Sequence, residues 1–175
     1  MVTDNHAWHA PGTDMDELLK LLVDDARTTP AQLAILTGRP EADVRAAIAR
    51  YEHDGTIVKY RAILNPEKTG QANGVVRAWI EVSITPQRGQ GFDAIAARIY
   101  QFKEVQSCYL LSGGYDLLLL VECGSLREVG AFVAEKLAAQ ENVTRTATHF
   151  LLRVYKEHGD VLLPAELMPR LPISM

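Results

Sequence analysis

The sequence predicts an α+β chain built from two unlike modules. Three observations carry this. The first third repeats apolar residues at helical spacing, the middle and rear alternate strand and helix patterns, and Asn65-Pro66-Glu67-Lys68-Thr69-Gly70 supplies turn chemistry between them. The expected boundaries are 14–64 for the front module, 65–73 for a linker, 74–156 for the rear module and 157–175 for a C-terminal extension. Hydrophobic residues make up 47% of the 175, enough for packed cores.

Residues 1–13 are polar and unpatterned, with no basic start and greasy core, so no signal peptide is read. His6 and His9 flank Trp8 at a spacing that can hold a metal, but a loose chain end is the simpler reading and no metal site is assigned. Asp14 is placed to cap a first helix running to about Asp24, with Leu18, Leu19, Leu21, Leu22 and Val23 as a broad apolar face. Thr29-Pro30 opens a second, short helix that shows Leu33, Ala34 and Leu36 and stops at Gly38. Pro40 opens a third helix whose inward face is Val44, Ile48 and Tyr51, ending at Asp54-Gly55. From Thr56 to Leu64 the chain is β-branched and reads as a strand.

Three helices followed by a strand form a winged helix-turn-helix pattern, with a small helical bundle of another purpose as the competing reading. In the first reading the third helix enters the major groove of double-stranded DNA. Its outward face carries Ala42, Asp43, Arg45, Ala46, Ala49 and Arg50. Arg45 suits a base or a phosphate, Arg50, Lys59 and Arg61 suit phosphates, and Arg39 and Ala46 complete the candidate DNA-contacting set. Charge works against bulk attraction: the net charge is −4. The first 70 residues hold eight basic against eleven acidic side chains, so DNA binding must rest on local placement or on several copies acting together.

The rear module reads strand (74–85), loop, helix (92–102), strand (104–111), strand (117–123), helix (125–140) and strand (142–155). This βαββαβ order is the ferredoxin-like arrangement, a four-stranded antiparallel sheet with both helices on one face. The other face then lacks cover, which predicts self-association through the sheet. Between the two central strands, Gly113 and Gly114 are expected to supply the positive φ of a tight hairpin. In that hairpin Cys108 falls opposite about residue 119, away from Cys123, so both cysteines are expected as buried, reduced thiols in a cytoplasmic protein. After His158, apolar residues broken by Pro164, Pro169 and Pro172 exclude one helix and suggest an extended arm. No apolar run approaches the ~20 residues of a membrane span.

The chain resembles the Lrp/AsnC (feast/famine) family of transcriptional regulators over about 14–156. The likeness rests on Asp25-Ala26-Arg27, on Gln32-Leu33-Ala34, on Arg50-Tyr51-Glu52-His53-Asp54-Gly55-Thr56-Ile57, on Leu64-Asn65-Pro66 with Gly70, and on Ser112-Gly113-Gly114-Tyr115-Asp116-Leu117-Leu118. The resemblance implies a DNA-binding winged helix and a domain that senses amino acids, in dimers joined through the sheet and often in higher assemblies. It places a small, amino acid-like effector between dimers, against Tyr109, Gly113, Gly114, Tyr115, Asp116, Thr146 and Thr148, and Ser112 and His149 are added as candidate effector contacts beside them. Backbone N–H groups of a glycine turn can hold a carboxylate, and Asp116 or threonine hydroxyls can hold an ammonium. Four positions depart from the family pattern: Ala47 and Ala49 where basic residues are common, Gly114 where a polar side chain is common, and His149 where an aliphatic is usual. Two other functions compete with the regulator: a metabolite-binding oligomer of this fold without DNA binding, and a tetrapyrrole decarboxylase-like enzyme. The enzyme would need basic or histidine residues that the chain does not group together. No catalytic residue and no cofactor are assigned.

Overall fold

The computed structural model describes residues 15–69, 74–85 and 91–162. Asp14, the His6/His9 pair, Gly70, the loop after Thr85 and the tail beyond 162 lie outside the described residues. The chain clusters into two compact units, Met1–Ile63 and Leu64–Met175. It combines N-terminal helices with an antiparallel sheet, an α+β architecture.

Unit 1 has three helices, α1 (Glu17–Asp24), α2 (Pro30–Thr37) and α3 (Glu41–His53). Asp16 caps α1 by accepting the Leu18 N–H at 3.1 Å. Thr29 and Gln32 form a reciprocal capping box on α2, with Pro30 in its first turn. Gly38 ends α2 at φ 65°, a conformation that favours glycine. Leu18, Leu22, Leu33, Val44 and Tyr51 are buried together, with Ile48 packed beside them. Each fully buried leucine contributes about 1.5–3 kcal/mol relative to exposure. The apolar face of α1 is narrower than its sequence suggests, because Val23 is 74% exposed. The strand expected over 56–64 is not formed. After Gly55 (φ 78°) the segment has no regular structure, although the Ile57 N–H still reaches the Tyr51 carbonyl at 2.8 Å. Among the described residues of this unit no second strand offers a ladder, and a lone extended segment cannot pair its own N–H groups.

Unit 2 opens with a single turn, α4 (Pro66–Thr69), and continues as β1 (Val76–Ile84), α5 (Phe92–Ile99), β2 (Val105–Leu110), β3 (Leu117–Cys123), α6 (Leu126–Ala131) and β4 (Val143–Phe150). The strands are antiparallel in the order β2-β3-β1-β4. β1 and β3 alternate between buried and half-buried residues, so one face is core and the other is not. The core face holds Ala78, Ile80, Val82, Leu117, Leu119 and Val121 against Ile95, Ile99, Val129, Phe132 and Leu137. Both helices therefore cover the same side. The sequence reads one continuous helix over 125–140; instead α6 widens into a π-helical stretch, Phe132–Leu137. Residues five apart point about 140° from each other in an α-helix, and the wider turn lets both Phe132 and Leu137 face the core.

β4 ends at Phe150, five residues short of the strand its sequence suggests, and the chain then forms a small hairpin of β5 (Lys156–Glu157) and β6 (Asp160–Val161). His158 and Gly159 turn it at φ 49° and 99°, the pair of positive values that a two-residue hairpin needs. The Asn65 side-chain amide donates to the Leu162 carbonyl at 2.6 Å, tying the end of this hairpin to the start of the unit.

Candidate functional sites

In unit 1 the buried side of α3 orients its outward side. Val44 and Tyr51 anchor the helix in the core, leaving Ala42, Asp43, Arg45, Ala46, Ala49 and Arg50 exposed. A polar knot fixes the same helix at its base. Asp16 accepts two bonds from the Arg39 guanidinium, at 2.7 and 3.0 Å, and one from the Tyr51 hydroxyl at 2.5 Å. One carboxylate thus joins the start of α1, the turn before α3 and the α3 core. The Arg39 and Tyr51 bonds hold the Asp16 carboxyl well below the usual carboxylate range, while the hydrogen bond to Asp16, with burial, pushes the Tyr51 phenol up. Sequence reasoning assigned Arg39 to DNA and missed this knot. Its members are 23 and 35 residues apart, beyond the reach of any local pattern.

The remaining cations are placed differently from one another. Arg45 lies along the surface of α3 and bonds Glu41 through Nε at 2.9 Å and Nη2 at 2.6 Å. The Arg50 guanidinium sits 5.1 Å from the centre of the Tyr51 ring. Lys59 and Arg61 are exposed on the irregular segment after α3, where the Tyr60 hydroxyl donates to Glu52 at 3.0 Å.

In unit 2 the expected effector residues divide among three places. Ser112, Gly113, Gly114, Tyr115 and Asp116 form the connection between β2 and β3. Tyr109 and His149 lie on the uncovered sheet face. Tyr109 pairs with Leu118, with its ring 6.4 Å from Trp79, and His149 pairs with Trp79, its Nε2 3.1 Å from Glu81 Oε1. Thr146 and Thr148 pair with the buried Val82 and Ile80, so they belong to the helix-covered side. β2 and β4 are opposite edges of the sheet, about 14 Å apart at the usual strand spacing. Within one chain these groups do not converge.

The turn itself departs from the tight hairpin. Leu110 pairs with Leu117 and the Leu111 N–H bonds the Asp116 carbonyl at 2.8 Å, so the connection is a longer loop. Positive φ among the described glycines occurs at Gly38, Gly55 and Gly159, not at Gly113 or Gly114. A Cβ added at either loop glycine would meet nothing within 4 Å. Asp116 has a task within the fold: its Oδ2 accepts the Ile84 N–H at 2.7 Å and its own N–H reaches the Val82 carbonyl at 3.1 Å. This bridges the irregularity that β1 shows between Ser83 and Ile84. Cys108 sits opposite Leu119, as its sequence position suggests; it and Cys123 are free, and burial pushes both thiols up.

A concavity of about 450 Å³ lies at the other end of this unit from that loop, lined by Glu104, Cys123, Glu128, Phe132 and Lys136 among others. The Lys136 ammonium bonds Glu104 at 2.8 Å and lies 5.4 Å from the Phe102 ring and 6.0 Å from the Phe132 ring. That arrangement braces helix against sheet. Among the described residues there is no group of three or more histidine, cysteine, aspartate or glutamate side chains able to hold a metal ion. No described helix is long and apolar enough to cross a membrane.

Comparison with known proteins bears on both units. The family model of the Lrp/AsnC ligand binding domain matches residues 77–161. The uncharacterized HTH-type transcriptional regulator YugG of Bacillus subtilis is 37% identical over 90% of this chain and 95% of its own length. The HTH-type transcriptional regulator LrpA of Mycobacterium tuberculosis is 30% identical over 85% and 95%. Among solved structures, a feast or famine regulatory protein of M. tuberculosis complexed with L-methionine has a TM-score of 0.64 at 28% identity, covering 80% of this chain and 90% of that one. A transcriptional regulator of Neisseria meningitidis, also in complex with L-methionine, has a TM-score of 0.62 at 26% identity, covering 89% and 100%. The chain belongs to the Lrp/AsnC family of transcriptional regulators.

Proposed function

We propose that this regulator binds double-stranded DNA through unit 1, read as a winged helix-turn-helix with α3 in the major groove and 56–64 as the wing. Unit 2, read as a ferredoxin-like domain, joins two copies through its uncovered sheet face and takes an amino acid-like effector where dimers meet. Arg45 and Ala46 face the bases, and Arg50, Lys59 and Arg61 face phosphates. Arg39 acts through Asp16 and Tyr51, by fixing the tilt of α3. The protein is a cytoplasmic regulator rather than an enzyme.

The observation that carries the effector reading is the 112–116 loop. Neither backbone conformation nor crowding inside the chain requires glycine at Gly113 or Gly114. Bare backbone there serves something that approaches from outside. Its N–H groups suit a carboxylate, and Tyr109, Thr146 and Thr148 reach the same ligand only when contributed by different copies. The two solved relatives that hold L-methionine make it the first probe.

The test is calorimetric titration of the full chain with a panel of L-amino acids, beginning with methionine, alongside light scattering for assembly size. Binding with a micromolar-to-millimolar Kd that alters assembly size or DNA retention is expected. Saturating amounts of every amino acid leaving heat, mass and DNA retention unchanged would remove the effector reading.

A further inference from the structure

The Glu41–Arg45 pair has a geometry that separates two roles an arginine can play on DNA. A guanidinium offers two recognition edges, the side edge of Nε with one terminal nitrogen and the end edge of the two terminal nitrogens. Here Nε and Nη2 both donate to a single Glu41 oxygen, Oε1, at 2.9 and 2.6 Å. The side edge is occupied. Glu41 stands in the first turn of α3, where the helix dipole favours its charge, and the two residues are one turn apart.

We infer that Glu41 is a positioning residue that aims the free end edge of Arg45 at the O6 and N7 acceptors of one guanine in the major groove. This rests on the DNA reading of α3 above. The charge balance supports it. Glu41 and Arg45 together are neutral, and Asp43 lies on the same outward face, so the side chains at this end of the helix give a phosphate no net attraction. A guanine edge asks for donors rather than for net charge. Holding the guanidinium beforehand also reduces the side-chain freedom lost on binding. Ala42, Ala46 and Ala49 are exposed around the pair and leave it room to approach the floor of the groove.

The experiment is selection of bound duplexes from a pool with a random core, using the full-length protein at fixed low salt, for wild type, Arg45→Ala, Arg45→Lys and Glu41→Gln. The wild type enriches a motif with a fixed guanine. Arg45→Ala loses the preference at that one position by roughly tenfold to a hundredfold, and Arg45→Lys does not restore it. Glu41→Gln weakens the same preference while raising affinity for an unrelated duplex, and its salt dependence steepens by about one counter-ion. Both side chains are on the surface, so circular dichroism and melting temperature stay at the wild-type values. A motif whose guanine survives Arg45→Ala overturns the inference and leaves the DNA reading standing. So does a Glu41→Gln protein with unchanged preference and unchanged salt slope. A wild type that enriches no motif overturns both.

Discussion

The two units are stabilised in different ways. Among the described residues, unit 2 buries a core that runs the length of a four-stranded sheet and under two helices. Unit 1 buries five residues and supplements them with Asp16, Arg39 and Tyr51. A small helical unit has little apolar area with which to fix helix angles, so a directional, charged knot takes over part of that work. In the sheet unit strand pairing already sets the register, and the Lys136–Glu104 and Asp116–Ile84 contacts only supplement a larger core. One half therefore depends on a few polar atoms, whereas the other relies on area.

Substitutions that cut each support test this contrast, and the largest effect falls on unit 1. Leu33→Ala should cost about 2–5 kcal/mol, enough to melt unit 1 while unit 2 stays folded. Calorimetry of the full chain would then show the lower-melting fraction lost and the higher one retained. A single transition shifted as a whole would mean that the two units unfold together. Asp16→Asn comes next, at roughly 1–3 kcal/mol, because it keeps a capping oxygen but removes the charge that the two Arg39 bonds and the Tyr51 bond depend on. Its pH dependence has a defined sign. The folded Asp16 carboxyl lies below its ordinary value, so its stabilisation is present at neutral pH and is lost as acid carries the pH below the ordinary carboxylate range. Denaturant midpoints at neutral and acid pH should converge between wild type and Asp16→Asn as the pH falls. A gap that stays constant would remove the charge from the explanation.

The same contrast explains what was legible in the sequence. Local chemistry was readable: Thr29-Pro30 with Gln32 announced a helix start, Gly38 its end, and alternation in 76–84 and the short apolar run at 117–123 placed two central strands. The partner of Cys108 followed from simple counting across the hairpin. Features that depend on distant partners were not readable. The Asp16 knot joins residues from three places, the segment 56–64 has strand-forming residues but no strand beside it, and β4 stops early although its pattern continues. Gly113 and Gly114 were misjudged for a related reason. Glycine was taken as a backbone requirement, and the backbone conformation there requires none. For the candidate site, the sequence supplied a set of residues and not their arrangement. The three-way division of those residues over loop, open face and covered face emerges only from the pairing of β4 with β1.

Unit 2 offers the next test. Gly114→Thr should leave its melting temperature within the range of a neutral surface change, about 0.5 kcal/mol, because the new atoms meet open space. Its effector titration should lose heat at least tenfold in affinity if the loop is where the ligand enters. Normal binding by a normally folded variant would move the effector elsewhere.

The smallest effect on folding is expected at His149, and it bears on assembly. Its pair with Glu81 is exposed in one chain, the His149 side chain at 59%, and such pairs contribute about 0–1 kcal/mol. His149→Ala should therefore barely change the melting of unit 2 under conditions that keep it monomeric. The position matters more if two sheets close over it. His149 and Glu81 share the uncovered face with Trp79, Tyr109, Leu118 and Leu120, and with the charged Arg77, Glu122 and Arg145. Arg77 and Glu122 neutralise each other at 2.6 Å. Removing the imidazole would leave the Glu81 carboxylate short of a partner in a surface losing water, an arrangement that costs more than the pair contributes in solution. Sedimentation should then show a weaker dimer for His149→Ala, and the double variant with Glu81→Ala should recover much of the loss. A dimer indifferent to both substitutions would place the contact between copies on another surface.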